Sequence, residues 1–151
     1  MLKFKELAFQ ELSNRDLYEI LKLRAEVFIV EQNCPYLDTD EKDFDAIHLM
    51  GFINEQLVAY ARLLPKGISY EKHTSIGRVV TSQSVRKTGA GKELMAKALE
   101  VILKKWPNED IKISAQSYLE RFYESFGFVS TGITYLEDDI PHTAMIRSCE
   151  N

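Results

Sequence analysis

Apolar positions along this 151-residue chain recur with two periods, and the switches between them lay out its elements. Residues 3–8 alternate and read as a first strand. Ser13, with Asp16 three residues later as a variant capping box, opens a run in which Leu17, Ile20, Leu21, Arg24, Val27 and Phe28 return at helical spacing. A pair of helices ending near Cys34-Pro35 is expected there. Residues 47–53 and 57–64 are β-rich runs about the hairpin signal Asn54-Glu55-Gln56, and a third strand at 75–80 follows the connection over 67–74, giving three antiparallel strands. Residues 91–106 carry Leu94, Met95, Ala98, Leu99, Ile102 and Leu103 on one helical face and stop at Pro107. A short strand at 110–115, a helix at 118–126 and two terminal strands at 129–135 and 143–147, joined by an acidic turn over 136–142, complete the pattern. This order predicts one α/β (α+β) domain over residues 1–151, a central mixed, mostly antiparallel sheet with helices on both faces.

Composition changes this picture little. With 45% apolar and 28% charged residues the chain has an ordinary soluble composition, and no segment approaches the roughly 18 continuous apolar residues of a membrane span. The alternating start Met1-Leu2-Lys3-Phe4-Lys5-Glu6 lacks the apolar region of a signal peptide, so a cytoplasmic location is expected. Cys34 and Cys149 stand far apart in sequence and are expected to be free thiols, and no metal-ligand cluster is visible. A net charge of −4 with a pI near 5.4 disfavours nucleic acid as a partner, while the local basic patch of Arg86, Lys87 and Lys92 remains able to bind phosphates.

The strongest local signal is Ile76-Gly77-Arg78-Val79-Val80 followed by Val85-Arg86-Lys87-Thr88-Gly89-Ala90-Gly91-Lys92 and the long amphipathic run. It reads as strand, phosphate-binding turn and helix. Its glycines allow a tight turn and close approach, and the first amides of a helix have no internal partners, so they can point at an anion such as a diphosphate. A Walker loop would need a glycine five residues before Gly91 and a Ser or Thr after Lys92, where Arg86 and Glu93 stand. A dinucleotide fingerprint would need its third glycine at Leu94, and no early βαβ unit precedes the loop. What remains, Arg86-x-x-Gly89-x-Gly91, resembles the acyl-coenzyme A signature of the GNAT superfamily of N-acetyltransferases. Ser114-Ala115-Gln116-Ser117-Tyr118-Leu119 leading into Phe122-Tyr123-Glu124-Ser125-Phe126-Gly127-Phe128 resembles the later cofactor-contacting block of that superfamily. Val27-Phe28-Ile29-Val30-Glu31-Gln32, Cys34-Pro35-Tyr36, Asp38, Asp40, Asp43, His48-Leu49 and Tyr135-x-Glu137-Asp138-Asp139-Ile140-Pro141-His142-x-x-Met145 resemble its ElaA-like branch, over nearly the whole chain. Asp139 departs from that pattern, which has glycine there, and this bears on the turn and on the pose of His142.

The resemblance implies the acyl-CoA N-acyltransferase fold and transfer of an acetyl group from acetyl-CoA to a primary amine, with no metal. Arg86, Lys87, Gly89, Ala90, Gly91 and Lys92 would then hold the diphosphate, and Val79 and Val80 the pantetheine arm through their backbone. Gln116 stands where many members carry a cofactor-contacting asparagine, and Tyr123 stands where many carry the acid for the leaving thiolate. A protonated amine must lose a proton before it attacks, and Glu31, Glu137 and His142 are the candidate bases. His142 and His48 each have a competing reading as hydrogen-bonded strand residues. Asp38, Asp40 and Asp43 could attract a cationic acceptor or form a solvated loop, and Arg62 and Arg78 could pair with that loop or serve binding. Tyr36 and Tyr60 could line a pocket or fill the core. Cys34 is read as a thiol near a turn rather than a nucleophile. The alternative to an enzyme is a non-catalytic acyl-CoA sensor keeping the loop without the acid and base. A homodimer is the expected assembly, two-fold pairs being commonest.

Overall fold

The computed structural model describes residues 1–150. Ser13 caps the first helix as its sequence signals: its hydroxyl accepts from the Asp16 amide at 3.0 Å, and its own amide donates to Asp16 Oδ2 at 3.2 Å. Helix α1 (Asn14–Arg24) then continues without a break into a wider turn over Ala25–Glu31. There the Gln32 amide reaches back to Val27 and the Cys34 amide to Ile29, each at 3.1 Å and across five residues. One rod therefore replaces the expected helix pair. No Gly or Pro interrupts it, so the chain absorbs the phase shift of Val27 and Phe28 by widening the helix instead of ending it.

Strands β1 (Lys3–Ala8), β2 (Ile47–Ile53), β3 (Gln56–Leu64) and β4 (Ser75–Thr81) form an antiparallel sheet in that order. Strands β5 (Ile111–Gln116), β6 (Val129–Glu137) and β7 (Ile140–Arg147) form a second antiparallel sheet in the order β5-β7-β6. The two join through one parallel bridge, Thr74 to Ile111, where the Lys112 amide donates to the Thr74 carbonyl at 2.9 Å and the Thr74 amide to the Asp110 carbonyl at 3.1 Å. Beyond that bridge no ladder links β4 to β5 among the described residues, and a cleft lies between them.

Two turns are tighter than expected. Asn54 and Glu55, both with positive φ, make a two-residue hairpin between β2 and β3. Asp138 and Asp139, at φ of +51° and +62°, do the same between β6 and β7. The acidic turn expected over 136–142 thus shrinks to these two residues, and His142 lies within β7. Aspartate tolerates the left-handed region because its short carboxylate can bond locally, so Asp139 replaces glycine without loss of the turn. The helix expected over 118–126 is also shorter: a single tight turn at Ser117–Leu119 precedes α3 (Glu120–Glu124), which the Gly127 and Phe128 amides close onto Glu124 and Tyr123. The remaining long helix, α2, spans Ala90–Lys105.

Helices cover both faces of the larger sheet. α2 lays Leu94, Met95, Ala98 and Ile102 on Ala59, Ala61 and Leu63 of β3, and the small alanines let the helix come close. α1 covers the other face, packing Ile20, Leu23 and Val27 against Met50, Tyr60 and Val80. Tyr60 is thus a core residue. Among the described residues no helix is long and apolar enough to cross a membrane. Leu94 has no solvent exposure, so Leu94→Ala is expected to destabilise the fold by about 2–5 kcal/mol, read as a lower urea midpoint with an unchanged m-value.

Candidate active site

Strand β4 is irregular where the cleft opens. Arg62 of β3 faces Gly77 and Tyr60 faces Val80, so Arg78 and Val79 together oppose Ala61. The extra residue makes a bulge and takes backbone out of the ladder. Arg78 occupies it at φ of +50°, a left-handed conformation that glycine normally supplies and that costs a larger residue about 1–3 kcal/mol.

What holds Arg78 is a ring of charges. Its Nε donates to Asp38 Oδ1 at 2.8 Å, and its Nη2 to the Asp38 carbonyl at 2.9 Å and Asp40 Oδ2 at 3.3 Å. Arg24 of α1 bridges Asp38 and Asp43, each at 2.8 Å, and Arg62 bridges Asp40 at 2.8 Å and Asp43 at 3.0 Å. Each aspartate serves two arginines and each arginine two aspartates. The acidic segment is therefore neither solvated nor free to attract an amine: Arg24 is 0% exposed, and Asp38 and Asp43 are buried with it. Burial alone would raise the Asp43 and Asp40 carboxyls, but the arginine hydrogen bonds and charges outweigh it and hold both below the ordinary value of 3.8. His48 seals the ring from beneath. Its Nε2 donates to the Asp43 carbonyl at 2.9 Å and its Nδ1 accepts from the Tyr60 hydroxyl at 2.7 Å, so the imidazole is fully engaged and burial lowers its pKa.

The turn after β4 is built as an anion cradle. Lys87 and Gly89 take positive φ, and Gly89 stands at the N-cap of α2, where an added Cβ would meet nothing within 4 Å. The first helical bond runs from the Glu93 amide to the Gly89 carbonyl at 3.0 Å, which leaves the amides of Ala90, Gly91 and Lys92 without partners inside the helix. Their dipoles add to the positive end of a 16-residue helix beside Arg86 and Lys87.

Between the splayed strands lies a cavity of about 770 Å³. Val79 and Val80 line one wall, Gln116 and Tyr123 the other. Glu31 and Arg86 meet at its rim in a two-pronged ion pair, with Arg86 Nη2 at 2.7 Å from Glu31 Oε1. At the opposite end the β5-β7-β6 register sets Gln116, His142 and Tyr135 side by side. His142 Nδ1 donates to the Ile140 carbonyl at 2.7 Å, its Nε2 lies 3.5 Å from Glu137 Oε2, and the Tyr135 ring stacks on it. Ser114 joins this group through the Tyr135 hydroxyl and, at 3.4 Å, Glu137 Oε1. Tyr36 and Cys34 line the cavity from the acidic-loop side, and the Cys34 thiol donates to the Asp138 carbonyl at 3.4 Å. Tyr70 also lines the cavity and belongs to no motif, because only the β3–β4 loop carries it here, while Ser114, which opens the block running to Leu119, owes its partners to the three-strand register.

Residues 25–149 match the family described as an acetyltransferase (GNAT) domain. Protein ElaA of Escherichia coli is 44% identical over 149 residues, covering 97% of each chain. The chain belongs to the GNAT acetyltransferase family. The crystal structure of Escherichia coli ElaA superposes with a TM-score of 0.91 at 42% identity, over 98% of this chain and 100% of that one. That of an acyl-CoA N-acyltransferase from Pseudomonas aeruginosa superposes equally well, TM-score 0.91 at 41% identity, with the same coverage.

Within that frame the candidate acid and bases differ in readiness. Tyr123 is almost wholly buried between the Phe122 and Phe128 rings, and burial pushes its phenol up to about 12, so it is protonated at any physiological pH. Glu31 is held below the ordinary carboxylate value by the Arg86 hydrogen bond, which makes it a poor proton acceptor while that pair persists. His142, with Nδ1–H fixed on the Ile140 carbonyl, turns Nε2 toward Glu137 Oε2 at 3.5 Å, and in the neutral ring that nitrogen is the acceptor.

The charge ring also fixes a pH response. Asp40 and Asp43 have folded values below 3.8, so their contribution to stability is complete above about pH 4 and fades as pH falls through the folded values. The urea midpoint is therefore expected to hold from pH 7 to about pH 5 and to drop steeply below about pH 4. Equal midpoints at pH 6 and pH 3 would show that the ring contributes nothing through these carboxylates.

Proposed function

We propose that residues 1–151 act as one N-acetyltransferase domain that moves the acetyl group of acetyl-CoA to a primary amine of a small molecule or protein, by direct attack in a ternary complex. The observation that carries this reading is the pairing, across one cleft, of a bulged β4 wall with a buried, protonated Tyr123, with Arg86 of the turn before α2 among the cleft's lining residues. Arg86, Lys87, Gly89, Ala90, Gly91 and Lys92 would hold the diphosphate, with main-chain donors doing most of it. The backbone of Val79 and Val80 would take the pantetheine arm as an added strand, and Gln116 would reach it from β5.

At the bulge, a backbone amide freed from the ladder is placed to donate to the thioester oxygen. Such a donor strengthens as charge grows on that oxygen, so it acts more on the transition state than on bound substrate. Tyr123 faces the departing sulfur. With a phenol at about 12 against an ordinary thiol near 8.5, full proton transfer is uphill, so Tyr123 stabilises the thiolate chiefly by hydrogen bonding as it leaves. An amine of pKa near 10 enters protonated and must lose its proton. His142 Nε2, backed by Glu137, would accept it, and Glu31 would serve only once Arg86 is drawn away to the diphosphate.

Calorimetry of acetyl-CoA against the folded protein tests the first half. Gly89→Glu places a carboxylate in the cradle and is expected to weaken binding about tenfold or more, and a wild type that fails to bind would overturn the reading. Tyr123→Phe tests the second. Binding should persist while thiol release with a responsive amine falls about tenfold or more, and unchanged turnover would remove Tyr123 from the chemistry. Binding with no turnover on a broad amine panel would favour the acyl-CoA sensor.

A further inference from the structure

The bulge of β4 lacks support on the side where it would work. β3 holds one edge of the strand, but beyond the Thr74–Ile111 bridge the other edge faces the open cleft. The bulged conformation is also assigned to an unsuited residue. Gly77, next in sequence, could adopt a left-handed φ freely yet does not, while Arg78 does so at +50°. Arg78 differs from its neighbours in one respect: its guanidinium is bound at three points by the loop carrying Asp38 and Asp40, and lies over the Tyr36 ring at 5.9 Å. That loop is itself immobilised, because Asp38 is shared with Arg24 at 2.8 Å, and Asp40 is held by Arg62 at 2.8 and 2.9 Å.

We propose that Arg78, Asp38 and Asp40 are positioning residues for acyl transfer: the buried ring anchors the Arg78 guanidinium, and that anchor keeps the β4 backbone bulged so that its amide meets the thioester oxygen. This rests on the acyl-CoA reading above. The clamp acts through the backbone, the charged ends of the three side chains being engaged with one another and with Arg24 and Arg62. Arg78 is also the ring member that can be removed cleanly. Without it, Asp38 retains Arg24 and Asp40 retains Arg62, so no buried carboxylate is left unpaired. Asp38 offers no such test, because its loss would leave Nε of the fully buried Arg24 without its carboxylate partner.

The experiment compares Arg78→Ala and Arg78→Gly with wild type, using coenzyme A and acetyl-CoA labelled with ¹³C at the acetyl carbonyl. The carbonyl resonance should move downfield when wild type binds the thioester, reporting the amide hydrogen bond without any need for an acceptor. Alanine cannot hold a left-handed φ cheaply, so Arg78→Ala should lose more than about half of that displacement, while its affinity for coenzyme A stays within about threefold of wild type. Glycine adopts the same φ freely, so Arg78→Gly should keep more of the displacement than Arg78→Ala although both lack the charge. Thermal melts confirm that each variant is folded. A full displacement in Arg78→Ala would overturn the clamp and leave the acyl-CoA reading standing. Equal losses in both variants would also overturn it, by giving the side chain itself the role. A wild type that fails to bind acetyl-CoA would instead remove the acyl-CoA reading and the clamp together, a result visible before any variant is compared.

Discussion

Three arginines from three separate elements converge on three aspartates carried by one short loop, and the position of the cleft depends on that convergence. Arg24 comes from α1, Arg62 from β3 and Arg78 from β4. The six charges cancel, and every aspartate is shared. Removing such groups from water costs several kcal/mol per ion, which their mutual attraction offsets only when the geometry satisfies nearly all donors. Here it does so but for Arg62 Nε, which finds no partner among the described residues. A ring of this kind adds little net stability over an apolar core of equal volume. Its effect is selective, because the loop has one register that pairs all three arginines, and any other leaves a buried charge alone.

The site divides its labour between main chain and side chain. In the proposed reading, donors for phosphate and for the thioester would come from backbone groups left unpaired by geometry: helix amides ahead of Glu93 and the bulge opposite Ala61. Such groups are rigid and tolerate many sequences. Proton handling would fall to side chains whose surroundings set their character, Tyr123 kept protonated by aromatic burial and His142 kept in one tautomer by the Ile140 carbonyl. The ion pair of Glu31 with Arg86 joins the two systems, since an anion arriving at Arg86 competes with a carboxylate at the mouth of the acceptor side.

Much of this was legible along the chain because it is local. The Ser13 cap, the buried face of α2, the alternation of β1 and the β-rich runs of β2 and β3 depend on neighbours within a turn or a strand, and the structure follows them closely. Errors arose where a local signal had two outcomes. An acidic run from Leu136 can be a long turn or two strand ends, and two left-handed aspartates decided for the strands. Leu37 to Asp45 can be a solvated loop or one face of an ion ring, and composition does not distinguish them. Partners 14 to 40 residues away did so.

By itself the sequence determined the glycine turn ahead of α2, the order of elements and the family. These follow from glycines at positions needing left-handed backbone, from hydrophobic period and from motif spacing, all properties of contiguous residues. Tertiary structure alone decided that Arg78 would stand bulged and bound, that His48 would be spent on Tyr60 and Asp43 while His142 faced the cavity, and that Glu31 would meet Arg86. Each of these depends on strand register or on a contact between distant segments. A one-residue change of register would send Arg78, His48 and His142 to the other faces of their sheets.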